Sequence, residues 1–262
     1  SGIAEPWNEN TVLIVDGAQT VYAEFALIPY FLNLAVRGNG EVMGGGSFSF
    51  GNSVNIEAYP DFGHSFSHWE WESNGSQYSS NQNETIMIDG NMDLVAVFTR
   101  NTYDILIGAE LGGTYVILDQ NGSTPTTIEH GIQYTLRSIP DQHFGFNRWI
   151  STDAGIAMLG NENFAETTFI PTADVNITVS FSELSYQLDI ESTQGFKTLS
   201  PSGKFPATSI VPVEVEVQDG FVFDYWQDPM AILTNTNSAQ TEANISKIHP
   251  HDSASVSAIL RL

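Results

Sequence analysis

A seven-residue block ending in tryptophan occurs three times along this chain. Gly63-His64-Ser65-Phe66-Ser67-His68-Trp69 returns as His143-Phe144-Gly145-Phe146-Asn147-Arg148-Trp149, and again as Gly220-Phe221-Val222-Phe223-Asp224-Tyr225-Trp226. The tryptophans stand 80 and 77 residues apart, roughly one small domain each time. Self-similarity at a nearly fixed period points to an array of like units rather than one large core.

Other landmarks keep the same frame. Tyr30–Val36 corresponds to Tyr103–Ile107 and Tyr186–Ile190, each with the period-2 alternation of a half-buried strand. Glycines follow at Gly38 and Gly40, Gly112 and Gly113, and Gly195, where a hairpin with positive φ is expected. The next alternating runs are Val54/Ile56/Ala58, Tyr134/Leu136 and Val213/Val215, and Pro60 and Pro140 close two of them. After each tryptophan comes a polar stretch and then a closing hairpin. In the first unit this hairpin is Thr85–Ile88 with Leu94–Phe98, in the second Thr168–Ile170 with Ile177–Phe181, and in the third Ile245–Ile248 with Val256–Leu260. One more closing hairpin is expected at Val12–Gly17 and Val21–Phe25, with Trp7 out of frame. The expected organisation is a partial repeat over 1–27 and three modules over 28–100, 101–183 and 184–262.

These residues resemble the divergent internalin B-repeat-like modules (Listeria–Bacteroides type) of large bacterial surface and secreted proteins. The likeness rests on Pro60-Asp61-Phe62-Gly63-His64-Ser65-Phe66 through Trp69, with His64 in place of the usual aromatic, and on Ser200-Pro201-Ser202-Gly203 in the last unit. The second unit has His143 in place of the glycine, and the third has Val217-Gln218 in place of Pro-Asp. The resemblance implies an extracellular or cell-surface, all-β tandem module, and it brings no catalytic residues. It favours grasp-like sheets, with immunoglobulin-like sandwiches as the alternative.

The aromatic block also has a physical reading of its own. Phe66, Phe146 and Phe223 lie two residues after another ring or imidazole, so each pair shares a strand face. Trp69, Trp149 and Trp226 come three residues later, the wrong parity for that face. Either a bulge re-aims each indole into the core, or it packs on the opposite side. Burying an indole removes about 150–250 Å² from water, worth about 4–6 kcal/mol as an upper bound. All six aromatics are therefore expected as core residues.

Eight Lys and Arg against 31 Asp and Glu give a formal charge of −23, a field that repels nucleic acid and anionic membranes. There is no cysteine, which excludes disulfides and thiolate metal sites, and no apolar run long enough to span a bilayer as a helix. The first lysine is Lys197, so the first two modules cannot form a lysine isopeptide bond. Asp89, Asn91 and Asp93 imitate the opening of a calcium loop, but Leu94 and Arg100 fall where it needs glycine and glutamate. They suit a turn instead, so no cofactor is expected, with calcium as the alternative. Gly63–Ser67 lacks the last glycine of a serine-hydrolase elbow. His249 and His251 flank Pro250 in a turn slot.

The segments after each tryptophan differ most between units, and long loops on a rigid frame are where binding resides. Glu72, Asn74, Tyr78, Ser151, Asp153 and Asp228 are the candidate binding residues there, against a plain reading as solvated connectors. Ala157–Leu159 and Ala231–Leu233 are the places for a short helical turn. The functional expectation is a non-catalytic spacer region of an adhesin-like surface or secreted protein. Its partners would be neighbouring repeats of the same protein and a cell-surface glycan or protein. The alternative is a carbohydrate- or protein-binding module, accessory to a secreted hydrolase.

Overall fold

The computed structural model describes residues 10–18, 20–250 and 252–262. It is nearly all β. The first repeat holds β1 (Tyr30–Arg37), β2 (Gly40–Met43), β3 (Gly46–Phe48), β4 (Ser53–Pro60), β5 (His64–Trp71), β6 (Gln77–Ser79), β7 (Asn83–Met87) and β8 (Met92–Arg100). The second holds β9 (Ile105–Ala109), β10 (Gly113–Leu118), β11 (Tyr134–Pro140), β12 (Phe144–Ser151), α1 (Asp153–Ala157), β13 (Glu166–Phe169) and β14 (Val175–Glu183). The third holds β15 (Ser185–Ser192), β16 (Phe196–Leu199), β17 (Gly203–Pro206), β18 (Ile210–Val217), β19 (Val222–Gln227), β20 (Gln240–Asn244) and β21 (Ser253–Arg261). No helix among the described residues is long and apolar enough to cross a membrane.

Each repeat builds two small sheets. One is mixed, in the orders β3-β1-β8-β5-β6, β12-β14-β9 and β17-β15-β21-β19. The other is antiparallel, in the orders β2-β4-β7, β10-β11-β13 and β16-β18-β20. In every mixed sheet the first strand of the repeat lies parallel to the last, with Leu32 opposite Met92, Ile105 opposite Val175 and Leu188 opposite Ala254. That parallel pair of first and last strands is the pairing expected of a grasp-like sheet.

Alternation explains which side each strand buries. In β18, Val211, Val213 and Val215 face inward while Glu214 and Glu216 stay wet. The inward faces of the two sheets enclose one core per repeat. The first gathers Leu32, Ile56, Trp69, Ile86 and Leu94, the second Leu136, Trp149, Phe169 and Ile177, and the third Leu188, Val213, Trp226, Ile232 and Val256. By backbone proximity the chain forms two compact units. One runs to Asp61 and resumes over Ser65–Thr99, and the other holds Phe62–His64 with Arg100–Leu262. Within the second unit, Leu184 N donates to His143 O at 2.8 Å, and the His143 and Tyr186 rings meet edge-on at 5.7 Å.

The closing pairs are strands but not hairpins. β7 joins β4 in the antiparallel sheet, whereas β8 joins β1 in the mixed sheet, so the turn between them carries the chain from one layer to the other. β13 with β14 and β20 with β21 repeat that step. The corner after the first strand does the same, taking β1 and β2 to different sheets. In the third repeat the penultimate strand is Gln240–Asn244, and Ile245–Lys247 is a 3-10 turn instead of the expected strand.

The expected partial hairpin is not a pair of strands among the described residues. Val12, Ile14, Val15, Tyr22 and Phe25 are exposed, and the first strand begins at Tyr30. Trp7 and His251 lie outside the described residues.

Candidate functional site

The recurring feature of each repeat is its indole. Trp69, Trp149 and Trp226 are 0, 1 and 1% exposed. Phe66, Phe146 and Phe223 pack on them with ring centroids 5.9, 6.0 and 5.9 Å apart and interplanar angles of 56, 51 and 53°. The parity question is answered by a bulge. The pairing of β12 with β14 slips between Phe146 and Arg148, and that of β19 with β21 between Phe223 and Tyr225. One extra residue, Asn147 or Asp224, returns the following tryptophan to the inner face.

A buried indole N–H needs an acceptor. The segment after each tryptophan supplies it. Trp69 Nε1 donates to Gln82 O at 3.4 Å, Trp149 Nε1 to Phe164 O at 3.0 Å and Trp226 Nε1 to Ser238 O at 2.9 Å. Three segments of different sequence thus perform one structural task through backbone carbonyls, a role no side-chain motif could reveal.

The candidate loop residues are largely occupied in building those segments. Asn74 Oδ1 accepts from Ser76 N and Oγ at 2.9 and 2.7 Å, closing a turn. Glu72 N donates to Asp93 O at 3.1 Å. Tyr78 sits on β6 with its ring edge-on to Trp71 at 5.2 Å. Burial, then the nearby Glu84 and Asp89 carboxylates, push its hydroxyl pKa above the ordinary tyrosine range. Ser151 Oγ donates to Asn176 O at 2.5 Å. Asp153 opens α1, which Thr152 caps. Asp228 braces its loop by accepting from Ile232 N and Leu233 N at 3.1 and 2.8 Å. Met158 and Leu159 follow α1 into the core, and Ile232 and Leu233 reach the core from a turn without forming a helix.

The calcium-like residues serve the parallel pair. Asn91 Oδ1 accepts from Phe31 N at 2.8 Å, and Asp93 Oδ1 accepts from Asn33 Nδ2 at 2.7 Å, tying β8 to β1. In the second repeat Asp174 Oδ1 takes Asp104 N at 2.9 Å in the same way. Among the described residues no three His, Asp or Glu side chains converge as a metal cluster.

Among the described residues one charged group is buried. The Glu70 side chain is 5% exposed, with Arg37 Nη1 at 2.5 Å and His68 Nε2 at 3.4 Å. Ser67 Oγ lies 2.9 Å from His68 Nδ1. This Ser-His-Glu line is peculiar to the first repeat, since its counterparts are Asn147, Arg148 and Ile150, then Asp224, Tyr225 and Gln227. What the three repeats share is the apolar frame and the indole bond.

Residues 30–102 and 104–185 each match the divergent InlB B-repeat domain. The chain belongs to that family. The two matches fall on the first and second repeats, and the third repeat carries the same indole and phenylalanine, with its first, last and tryptophan-bearing strands in the same order. No curated protein matches the sequence. Among solved structures, the Bacillus anthracis TIE protein is similar at 8% identity and a TM-score of 0.45, covering 89% of this chain and 50% of that one. The pilus adhesin SpaC from Lactobacillus rhamnosus GG is similar at 8% identity and a TM-score of 0.27, covering 89% and 44%. This B-repeat chain spans about half the length of those solved chains.

Proposed function

We propose that these B-repeats are a non-catalytic spacer region of a larger adhesin-like protein, displayed on a bacterial surface or secreted. The observation that carries this reading is the selective repetition. Phe-Trp geometry, indole acceptor and sheet order recur, whereas Ser67, His68, Glu70 and the post-tryptophan side chains do not. A spacer needs only a core in each unit and contacts between neighbours, and those are the features that recur here. A charge of −23 spread over 262 residues keeps such chains soluble and mutually repulsive.

The test is replacement. In the parent surface protein, the three repeats are exchanged for an unrelated folded array of equal length, and adhesion of the cells is measured. Retained adhesion supports the spacer reading. Loss of adhesion with surface display intact overturns it in favour of recognition of a glycan or protein by the repeats themselves.

A further inference from the structure

The turn Phe62-Gly63 lies with the second compact unit, and Gln142-His143 is its counterpart one repeat later. Each turn is bonded to the residue just after the last strand of its repeat. Asn101 N donates to Gly63 O at 2.9 Å, and Asn101 O accepts from His130 N at 2.9 Å. Leu184 N donates to His143 O at 2.8 Å, and Leu184 O accepts from Ala207 N at 2.8 Å. Asn101 and Leu184 are therefore equivalent linkers, and His130 and Ala207 occupy one and the same position. Two residues beyond each linker stands a tyrosine, Tyr103 or Tyr186.

An imidazole rests on each of these tyrosines, and the two come from opposite sides. His130 reaches Tyr103 from beyond the linker, with Nδ1 3.0 Å from Oη and the rings edge-on at 5.9 Å. His143 reaches Tyr186 from the turn, with Nδ1 3.1 Å from Oη and the rings edge-on at 5.7 Å. Both rings claim one space. A Cβ on Gly63 would stand 1.9 Å from the His130 ring, so the turn is bare where His130 supplies the imidazole. Where the turn supplies it, the other position is Ala207, which is 0% exposed. His143 keeps its place at a φ of 71°, in the left-handed region that favours glycine, and the contact with Tyr186 offsets that strain. The first repeat follows the pattern of the second. Phe50, two residues past the Phe48 that pairs with Tyr30, sets its ring 6.3 Å from the Tyr30 ring.

The charged residue before each linker is matched in the same sense. Arg100 Nη1 donates to His130 O at 3.0 Å, and its Nε lies 3.7 Å from Glu129 Oε2. Glu183, in the equivalent place, instead accepts from Thr208 N and Oγ1 at 2.7 and 2.5 Å. Cation meets carbonyl and carboxylate in one joint, and carboxylate meets amide and hydroxyl in the other.

We propose that the turn residue and the residue bonded to the linker are a matched pair that decides which repeat docks on which turn. A glycine turn takes a repeat that brings its own ring, as the second does with His130. A histidine turn takes a repeat with alanine there, as the third has with Ala207. Two rings collide, and two small residues leave the opening tyrosine uncovered. Discrimination thus rests on a clash as well as on a contact, and the repeats are not interchangeable in order. This inference stands or falls separately from the spacer role.

The experiment exchanges the pair in the full chain. Ala207→His alone sets a second imidazole against His143 and is expected to lower the melting temperature. His143→Gly alone leaves Tyr186 without its ring. Combining the two is expected to recover more than half of the loss caused by Ala207→His. Hydrogen exchange reads the joint itself. The Leu184 amide is expected to exchange about tenfold faster in His143→Gly and to return toward its native rate in the double variant. The mirror exchange, Gly63→His with His130→Ala, is expected to show the same recovery in melting temperature, and it decides the matter should Ala207→His fail to fold. Losses that simply add in either exchange overturn the proposal, as does a Leu184 amide indifferent to His143→Gly.

Discussion

At the scale of single residues, the indole of each repeat combines apolar burial with one hydrogen bond to a carbonyl that has no sequence signature. The two contributions separate by substitution. Trp149→Ala removes both and is expected to cost about 3–5 kcal/mol in chemical denaturation. Trp149→Phe keeps a ring but leaves Phe164 O without its donor, and is expected to cost about 1–3 kcal/mol. A loss below 1 kcal/mol for the alanine variant would contradict the core role of Trp149. Carboxylates give a second residue-scale expectation. Glu183 accepts from Thr208 Oγ and N at 2.5 and 2.7 Å, and these bonds hold its pKa below the ordinary 4.5. Ser79 and Asn81 do the same for Glu84. A depressed folded-state value stabilises the fold fully above pH 4.5, and that stabilisation disappears as pH falls through the folded value. Melting temperature is therefore expected to drop on acidification below pH 4.5, and Glu183→Gln to flatten that drop while lowering stability at pH 7.

At the scale of elements, alternation reveals strands but not their partners. Thr85–Ile88 and Leu94–Phe98 read as a hairpin because they are adjacent, apolar at alternate positions and joined by Asp89-Gly90-Asn91. They lie in different sheets because a two-layer core needs the chain to cross between layers, and inward faces on both strands permit either arrangement. The glycines at the first corner were legible for a reason that survives the change of partner. Gly112 has φ of 109°, and a Cβ there would stand 2.4 Å from the Phe144 ring. Gly195 has φ of 102° with Phe221 at 2.3 Å. Gly112→Ala thus meets both backbone strain and a clash, and is expected to destabilise by more than about 1 kcal/mol, read as a lowered denaturation midpoint at unchanged slope. The last penultimate strand illustrates the limit of pattern. Ile245 and Ile248 look like strand residues three apart, yet the 3-10 turn buries both from one side.

At the scale of the whole molecule, three cores share no buried residue. Stability is then a sum of unit terms and neighbour terms, and damage to one core stays local. In hydrogen exchange, Trp69→Ala is expected to lower protection across residues 30–99 while amides of the third core keep theirs. Uniform loss along the chain would show a single cooperative fold. The sequence by itself determined the repeat, its period, the inward-facing residues and the indole as the centre of each unit. All of these follow from the local rule that apolar side chains recur at the period of the element that buries them. Only the tertiary structure decided the bulges that turn Trp149 and Trp226 inward and the division of neighbouring strands between two sheets. Each of these depends on which backbone groups meet across space, and every strand carries the same N–H and C=O groups whatever its side chains.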